Sequence, residues 1–456
     1  MQQQKVLDPF QWECQPKAEE LLTTILRSCC DKNQFLKNLE ENISEKTSSR
    51  LFDWIDHIEV GYSDQLSQAL DATGFVSEVA TPLYRVFHHP GAKLPLVMVK
   101  DQSHPFVGIG ILVDSIADFL MCHGLSSWIE GSTLAPFRRA SVSKEQGVFV
   151  YVVERRGVLS MEPVNYREGE VDKILGCYEK WQARPRDQDD ETEEEEGLRQ
   201  AISLAEEIVE SVGQGMAAWI VCDIERKYWQ AKNSAGQIQK CRQDRLGMGW
   251  SNHDHHTFRS SRRHFRSLVR LFEILGFTCR ERFYAGKEAG WGAQVMEQKQ
   301  ARLVAFLDLD LSPEELDLDF AHQPLEERNQ LGTVGLWCAL HGESILKSGM
   351  HHLEAQFDFE KLQQDLSQKG VNMMAPFTNL PHLRQAFTVG EQWPVSSLRL
   401  QRLVSRGQIT REQAERFMKN GSIGSHLENL ERKEGFKGFN QKGVSDIIHR
   451  TDPRGA

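Results

Sequence analysis

The segment DHHTFRSSRRHFRSLVRLFEILGF, residues 254–277, has the order of elements that indicates the fold. It begins with a short strand-like run and passes serines that are suited to N-capping a helix. An amphipathic helix follows and ends at Gly276, a residue typical of helix C-termini. The next residues, TCRERFYAG, again have a strand-like composition. This order predicts a strand, a helix and then two or three strands, which together make a βαβββ module.

The same pattern occurs three more times. Similar openings lie at residues 54–75, 105–125 and 351–371, and their helices end near Gly74, Gly124 and Gly370. The four copies form two pairs along the chain. We therefore predict an α+β protein with two domains, each made of paired βαβββ modules that form an open, curved sheet around a cavity, with added helices. The alternative is four unrelated strand–helix pairs, which α+β proteins also contain.

The boundary between the halves is predicted from charge. The stretch RPRDQDDETEEEEG, residues 184–197, has no apolar residue and is interpreted as a solvated linker or a helix lead-in. The resulting division has a helical extension over residues 1–50, a module pair without metal over 51–165, an acidic linker with a helical bridge over 166–250, and a metal-binding module pair over 251–456.

The composition argues against several classes of protein. Of the 456 residues 40% are hydrophobic, and 54 Lys+Arg against 65 Asp+Glu give a net charge of −11. This charge argues against a nucleic-acid binder, whose affinity depends on a basic face. No run of about 18 uncharged apolar residues occurs, so we expect no membrane contact. The N-terminal residues do not have the pattern of a signal peptide, and we expect a cytoplasmic protein.

The cysteines argue against two kinds of site, whereas the positions of the histidines suggest metal ligands. The nine cysteines include no CxxC pair, which argues against a disulfide framework and against a zinc–thiolate site. Three of the four module openings, in contrast, have a histidine on the first strand. These are His57, either His255 or His256, and either His352 or His351. Adjacent residues of a strand face opposite ways, so only one member of each pair can point inward.

A carboxylate completes a candidate metal site. The fourth module ends with SHLENLER, which places Glu428 on its last strand. A histidine near the start of one strand and a glutamate midway along another can face the same interior. Two imidazoles and one carboxylate suit an Fe(II) centre with three open positions. The predicted ligands are His255, His352 and Glu428, although each of them taken alone is more typical of a packed or surface residue.

The C-terminal half resembles the vicinal-oxygen-chelate superfamily (glyoxalase, bleomycin-resistance and extradiol dioxygenase proteins), and within it 4-hydroxyphenylpyruvate dioxygenase. The family's DH dipeptide is matched by Asp254-His255, and its QHLA-like stretch by His351-His352-Leu353. Its last motif, a strand followed by GFGxGNF, is matched by LENLER and GFKGFN, with Glu428 as the third ligand. The resemblance implies that only the C-terminal domain holds Fe(II).

The same resemblance implies a substrate pocket. The run LRQAFT, residues 383–388, is similar to a pocket strand of the family, which implies a catalytic role for Gln385 and a substrate contact for Phe387. Phe436 and Asn440 match the family's last motif, and the resemblance implies substrate binding by Phe436 and a catalytic role for Asn440. Gln441, which we also predict to bind substrate, stands where the family has a ring-stacking phenylalanine, so the identity of the substrate is left open.

A second resemblance agrees on the reaction class. The phrase NHDHHTFR is similar to the HxNHLTPR motif of 2-oxoadipate dioxygenase/decarboxylase, a family that takes one histidine from its first module. That pattern makes His57 a reserve ligand. Both families convert a 2-oxo acid with O₂ and release CO₂, so we expect an Fe(II)-dependent 2-oxo-acid dioxygenase. The alternatives are an O₂-independent metal isomerase or lyase and a non-catalytic binding protein, and homo-oligomerisation is left open.

The N-terminal half shows an incomplete version of the site. By sequence, His57 and Glu154 occupy places that echo those of His255 and Glu428, and the opening of the second module has no histidine on its strand. We therefore expect this half to serve in packing and not to hold a second metal.

Overall fold

The computed structural model describes residues 12–100, 106–186, 189–440 and 451–454, and it contains two eight-stranded sheets flanked by helices. The N-terminal sheet belongs to two βαβββ modules in sequence. The first has β1 (Ile55–Gly61), α3 (Asp64–Ala72), β2 (Val76–Ala80), β3 (Tyr84–His88) and β4 (Leu96–Lys100). The second has β5 (Val107–Leu112), α4 (Ile116–Cys122), β6 (Ile129–Glu130), β7 (Phe137–Glu145) and β8 (Val148–Arg155).

The C-terminal sheet repeats this arrangement. Its first module has β9 (His253–Arg259), α9 (Phe265–Ile274), β10 (Thr278–Tyr284), β11 (Trp291–Gln298) and β12 (Leu303–Asp310). Its second has β13 (His352–Gln356), α11 (Phe359–Ser367), β14 (Thr378–Leu380), β15 (Leu383–Phe387) and β18 (His426–Arg432). The strand orders, β2-β3-β4-β1-β5-β8-β7-β6 and β10-β11-β12-β9-β13-β18-β15-β14, correspond strand for strand. The predicted α+β fold of paired βαβββ modules is confirmed.

One insertion interrupts the last module. Between β15 and β18 lie β16 (Gln392–Trp393), α12 (Ser397–Ser405), α13 (Arg411–Asn420) and β17 (Ser422–Ile423). The insertion leaves the sheet intact, because β15 and β18 still pair directly, with Phe387 opposite Glu428. A further helix, α10 (Thr333–His341), precedes β13 and packs against the interior of the sheet through Val334 and Trp337.

The remaining helices flank the halves. Two of them, α1 (Pro16–Lys32) and α2 (Gln34–Thr47), share a core with the N-terminal sheet. Four others, α5 (Glu170–Ala183), α6 (Glu191–Val212), α7 (Gln214–Ala231) and α8 (Ser234–Asp244), form the bridge between the halves, and most of their buried side chains join the core of the C-terminal half. Within the described ranges no helix is both long enough and apolar enough to cross a bilayer.

In its described part, the acidic stretch over residues 184–197 leads into a helix. Helix α6 begins at Glu191, and Glu194 is buried in an ion pair with Arg399, 2.5 Å away. Before the helix, Arg184 is buried and lies 2.6 Å from the carboxylate of Glu225 on α7. Charge density alone suggested solvent exposure, but partners from distant parts of the chain bury these residues.

The alternation of strand β9 separates a packed face from a polar face. Phe258 is fully buried against the helix side of the sheet, where its ring lies 5.2 Å from that of Phe272 on α9. His255 and Thr257, which lie an odd number of residues from Phe258, face the opposite, concave side. This concave side is covered by α10 and by an apolar cluster that includes Val295, Phe306 and Trp337. Polar groups placed there are therefore buried.

Candidate metal centre

Four side chains from three adjacent strands converge on the concave face of the C-terminal sheet. They are His255 on β9, His352 and Glu354 on β13, and Glu428 on β18. In the register, Glu354 lies directly opposite both His255 and Glu428. His352 and Glu354 share a face because they are two residues apart on one strand. The central strand therefore contributes two donors and each neighbour contributes one.

The distances show how closely these donors approach. The Nε2 atoms of His255 and His352 each lie 2.6 Å from Oε1 of Glu354. The Nε2 atom of His352 is also 3.6 Å from Oε2 of Glu428. Ligand atoms of His255, Glu354 and Glu428 all lie within 4.8 Å of one another. Such a spacing allows one cation to contact these three residues, and His352 lies beside them.

Burial controls the charge of the cluster. Glu354 and Glu428 are 1% and 2% exposed. Desolvation raises the pKa of Glu428 to about 8, and desolvation together with the Glu428 charge raises the pKa of Glu354 well above its usual range. Burial also lowers the pKa of His255 to about 4 and lowers that of His352. The imidazoles are thus neutral, with lone pairs that can bind a metal.

Two buried carboxylates at such proximity need a proton or a cation between them. The second oxygen of Glu354, Oε2, is buried without a hydrogen-bond donor among the described residues. Two imidazole nitrogens and carboxylate oxygens are ligands typical of first-row transition metals, Fe(II) among them. The donor set therefore fits a divalent transition-metal ion.

A second layer of groups orients these donors. Oδ1 of Asp254 lies 2.9 Å from Nδ1 of His255, and Asp254 is itself held by two hydrogen bonds from Arg432. The amide of Gln385 donates to Oε1 of Glu428 at 2.7 Å, and the hydroxyl of Thr257 donates to Glu354 at 2.9 Å. Such partners fix the tautomer and direction of metal ligands.

The structure distinguishes between the adjacent histidines. His255 points into the cluster, whereas His256 faces the other side of the sheet, with its ring 5.2 Å from that of His253. His352 points into the cluster, and its Nδ1 lies 2.6 Å from Nδ1 of the neighbouring His351. The three predicted ligands therefore come together, and the reserve ligand His57 lies in the other sheet.

Glu354 is the donor that sequence reasoning missed. The family motif that identified His352 has no carboxylate at the next position on the same face, so the resemblance gave no reason to select Glu354. Strand alternation alone contained the signal, since a residue two positions after an inward histidine also faces inward. An acidic residue on a buried strand face is uncommon unless it is paired or binds a metal.

The predicted pocket residues lie at different distances from the cluster. Gln385 contacts Glu428, and the ring of Phe387 lies 4.8 Å from that of His352. Phe436 lies farther along the sheet, with its ring 4.5 Å from that of His382. Asn440 is half-buried at the end of a described range, and Gln441 lies outside the described residues.

One phenylalanine of the last motif, Phe439, contacts the candidate ligand His255, although the resemblance placed the aromatic ring at position 441. The ring of Phe439 lies 5.0 Å from that of His255 and 4.4 Å from that of Phe306 on β12. The prediction for Gln441 falls outside the described residues, and Phe439, two residues earlier, supplies a ring at His255. Together these rings form an apolar wall beside the cluster.

The N-terminal half has a different set of residues at the equivalent positions. His57 of β1 corresponds to His255, but the residue opposite it is Gly110. In the same register Tyr151 occupies the place that Glu428 has in the C-terminal sheet. The predicted correspondence between Glu154 and Glu428 is therefore wrong. Glu154 instead pairs with Arg138 and Arg156.

Packing argues against a metal site at His57. A Cβ atom on Gly110 would collide with the His57 ring, so that ring fills the space in which a second donor would stand. Nδ1 of His57 lies 2.7 Å from Asp56, which is paired with Arg155. Its partners hold this histidine in an ion-pair network.

Next to the cluster, further along the concave face, several buried polar atoms have no hydrogen-bond partner in the described part of the chain. They are Nε and Nη1 of Arg259, both carboxylate oxygens of Asp308, and Nε2 of His351 and His426. Arg259 lies four residues after His255 on the same face of β9, and its Nε is 3.8 Å from Asp308. Burial raises the pKa of Asp308 to about 7, although the nearby Arg259 charge opposes this shift. A cation with unused donors beside a candidate metal site is suited to an anionic ligand.

The contact between Gln385 and Glu428 allows a test of the site. Replacing Gln385 with Met keeps the side-chain length but removes the hydrogen bond to Oε1. We expect about tenfold weaker binding of a divalent metal, since outer partners of metal ligands typically contribute 10–100-fold to affinity. Competition with a chromogenic chelator measures this affinity. Gln364→Met, at an exposed position of α11, is the matched control and should bind as the wild type does.

Comparisons with known proteins give matches among solved structures only. No protein-family model matches this sequence, and no curated protein matches it. The chain is similar to a mutant of 4-hydroxymandelate synthase from Streptomyces coelicolor, at 12% identity over 90% of this chain and 99% of that chain, with a TM-score of 0.27.

Two shorter proteins match parts of the chain. Methylmalonyl-CoA epimerase from Mycobacterium tuberculosis is 10% identical over 40% of this chain and 88% of that chain, with a TM-score of 0.24. A glyoxalase/bleomycin resistance protein/dioxygenase superfamily member from Vibrio splendidus 12B01 is 17% identical over 21% of this chain and 94% of that chain, with a TM-score of 0.17. At these identities and TM-scores the matches carry no argument about the family or the activity of this chain.

Proposed function

We propose that this protein is an Fe(II)-dependent dioxygenase that acts on a 2-oxo acid with decarboxylation. The observation that carries the proposal is the buried convergence of His255, His352 and Glu428, each of which is oriented by a further side chain. Two neutral imidazoles and one carboxylate leave three positions of an octahedral ion free. A 2-oxo acid needs two positions and O₂ needs one.

The surrounding residues have defined roles in this proposal. When bound, the metal supplies Lewis-acid and redox chemistry for the 2-oxo acid and O₂. Arg259 binds a carboxylate of the substrate through the two nitrogens that lack a hydrogen-bond partner among the described residues. Gln385 keeps Glu428 in one orientation, and Asp254 fixes the tautomer of His255. The rings of Phe306 and Phe439 exclude water from one side of the site.

A second candidate function is favoured by Glu354. If this carboxylate also binds the metal, four protein donors leave two open positions, enough for a chelating substrate but not for O₂ as well. Its Oε2 atom, which has no hydrogen-bond donor among the described residues, would then be placed to accept a proton from the substrate. Those properties suit an O₂-independent isomerase or lyase.

Replacement of Glu354 with Gln separates the two candidates. Under the dioxygenase proposal Glu354 is not a required ligand, so we expect Fe(II) affinity and O₂ uptake of the variant to stay within about tenfold of wild type. Oxygen-electrode traces with a panel of 2-oxo acids measure the uptake, and matched anaerobic incubations with Ni²⁺ or Mn²⁺ measure any O₂-independent conversion. Anaerobic conversion that disappears in Glu354→Gln would instead establish the isomerase or lyase.

A further inference from the structure

We propose that a cavity of about 310 Å³ between the two halves binds an oxyanion, the phosphate or carboxylate group of a small molecule. This cavity is separate from the metal centre and the inference goes beyond the proposed function. Its walls come from the segment before β4, from β10 and β11, and from the residues after β18. Asp254 and Phe439, which contact His255, form the wall nearest to the metal centre.

The lining of the cavity is strongly basic. Six cationic side chains and three carboxylates line it. The cations are Lys93, Arg280, Lys299, Arg302, Arg432 and Lys437, and the carboxylates are Glu78, Asp254 and Glu297. The cations come from both halves of the chain. Several of them are largely shielded from solvent, since the side chains of Arg432, Arg280 and Lys437 are 4%, 9% and 15% exposed.

Several of these cations already form an ion pair with a carboxylate. Lys93 and Arg432 both bind Asp254, at 3.1 and 3.0 Å, and Lys437 lies 2.9 Å from Glu297. Asp254 therefore neutralises only one of the two positive charges that contact it. The arrangement concentrates positive charge around a space that is not filled by protein.

On the side of the cavity formed by Lys299 and Arg302, the positive charges have even fewer carboxylate partners. Lys299 forms no ion pair among the described residues and is exposed at the rim. Arg302 donates to the carbonyls of Asp56 and Leu94, and its nearest carboxylate, Asp56 at 3.5 Å, is already bound by Arg155 at 2.6 Å. An anion in the cavity would give Lys299 a partner and would give Arg302 a carboxylate or phosphate that it does not share with Arg155.

The electrostatic effect of this charge is visible on a neighbouring histidine. Burial lowers the pKa of His88, and the charges of Lys437, Lys299 and Arg302 lower it further, against the opposing effect of Glu78. The pKa of Lys93 is also lowered, first by burial and then by Arg432 and Arg302, although Asp254 opposes the shift. Burial is the main cause of both pKa shifts, and the charges of the cavity's cations act in the same direction.

The chemistry of the lining defines the class of ligand. Arginine and lysine side chains together supply charged donors of the kind that bind phosphate and carboxylate groups. The volume accommodates a small molecule or one end of a larger one. An oxyanion there would lie on the far side of Asp254 from His255, so its binding does not require the metal.

Isothermal titration of the metal-free protein with inorganic phosphate, and separately with malonate, tests the inference at low ionic strength. We expect one saturable site for at least one of the two anions. The anion that binds with the higher affinity identifies the group that the cavity prefers. Lys299→Met and Arg302→Met should each weaken binding about tenfold, which corresponds to ~1.4 kcal/mol. Lys299 is exposed, so its variant should fold even if Arg302→Met does not.

Two control variants distinguish binding in this cavity from non-specific anion binding and from binding at the metal centre. Arg27→Met, at an exposed cation of α1, should leave anion binding unchanged. Glu428→Gln, a substitution in the candidate metal centre, should also leave anion binding by the metal-free protein unchanged, so failure of the proposed function and failure of this inference are distinguishable. Absence of saturable binding of both anions, or equal binding by wild type and Lys299→Met, would overturn the inference.

Discussion

Glu428→Gln should abolish tight binding of a divalent metal and, with it, all turnover. The substitution replaces a charged oxygen donor with a neutral amide while it keeps the shape of the side chain. We expect metal affinity to fall by more than about 100-fold, because the loss of a ligand exceeds the 10–100-fold effect of losing an outer partner. Anaerobic titration with Fe(II) against a competing chelator gives the affinity directly.

The fold should survive this substitution. Burial raises the pKa of Glu428 to about 8, so the metal-free protein already holds a proton on this side chain near neutral pH, and Gln is similar to the protonated form. Circular dichroism and the thermal unfolding midpoint of the metal-free variant check this point. Glu360→Gln, an exposed carboxylate on α11, is the control. Undiminished metal binding by a folded Glu428→Gln protein would refute its role as a ligand.

Arg259→Met should selectively impair use of the 2-oxo acid. Arg259 is 2% exposed and has two nitrogens without a hydrogen-bond partner in the described part of the chain, so a substrate carboxylate would gain charged hydrogen bonds there. Hydrogen bonds to charged groups contribute about 1.5–3 kcal/mol, so we expect kcat/KM to fall by roughly 10- to 100-fold, mainly through KM. Steady-state rates over a range of substrate concentrations measure the separate changes in KM and kcat.

The structure also explains why this variant should remain folded and loaded with metal. Removing Arg259 leaves Asp308, whose pKa burial already raises to about 7, so the carboxyl group can become neutral. Fe(II) affinity should therefore equal that of the wild type. Arg266→Met, an exposed position on α9, is the matched control. A fall in metal affinity with unchanged KM would show that Arg259 supports the centre and does not bind substrate.

Much of the fold was predictable because the βαβββ modules carry local signals. Each module opening combines an apolar strand, a helix with one buried face and a terminal glycine, and these features depend on residues close in sequence. Helix α9 is an example, with Leu268, Val269 and Phe272 buried on one side. The correspondence of the two strand orders then follows from repetition of one unit.

The choice between adjacent histidines was not predictable from the sequence. His255 and His256 are equally plausible until the register of β9 is known, since a shift of one residue exchanges the two faces of a strand. Glu354 was missed for a related reason. Its position two residues after His352 has meaning only once that histidine is known to face inward.

Long-range pairing was also outside the reach of sequence patterns. The acidic stretch before and within α6 looks solvated, yet Glu194 forms a buried pair with Arg399, which lies 205 residues away in the sequence. Likewise, the correspondence of Glu428 with Tyr151 and not with Glu154 depends on strand register, which spacing along the chain does not reveal.

The proposed activity can be tested by O₂ consumption of protein purified anaerobically and loaded with Fe(II), with 4-hydroxyphenylpyruvate and then 2-oxoadipate as substrates. The proposed function predicts O₂ uptake with stoichiometric release of CO₂ from at least one 2-oxo acid, and loss of both signals in Glu428→Gln. Conversion of substrate without O₂, or a protein that binds no iron under these conditions, would contradict it.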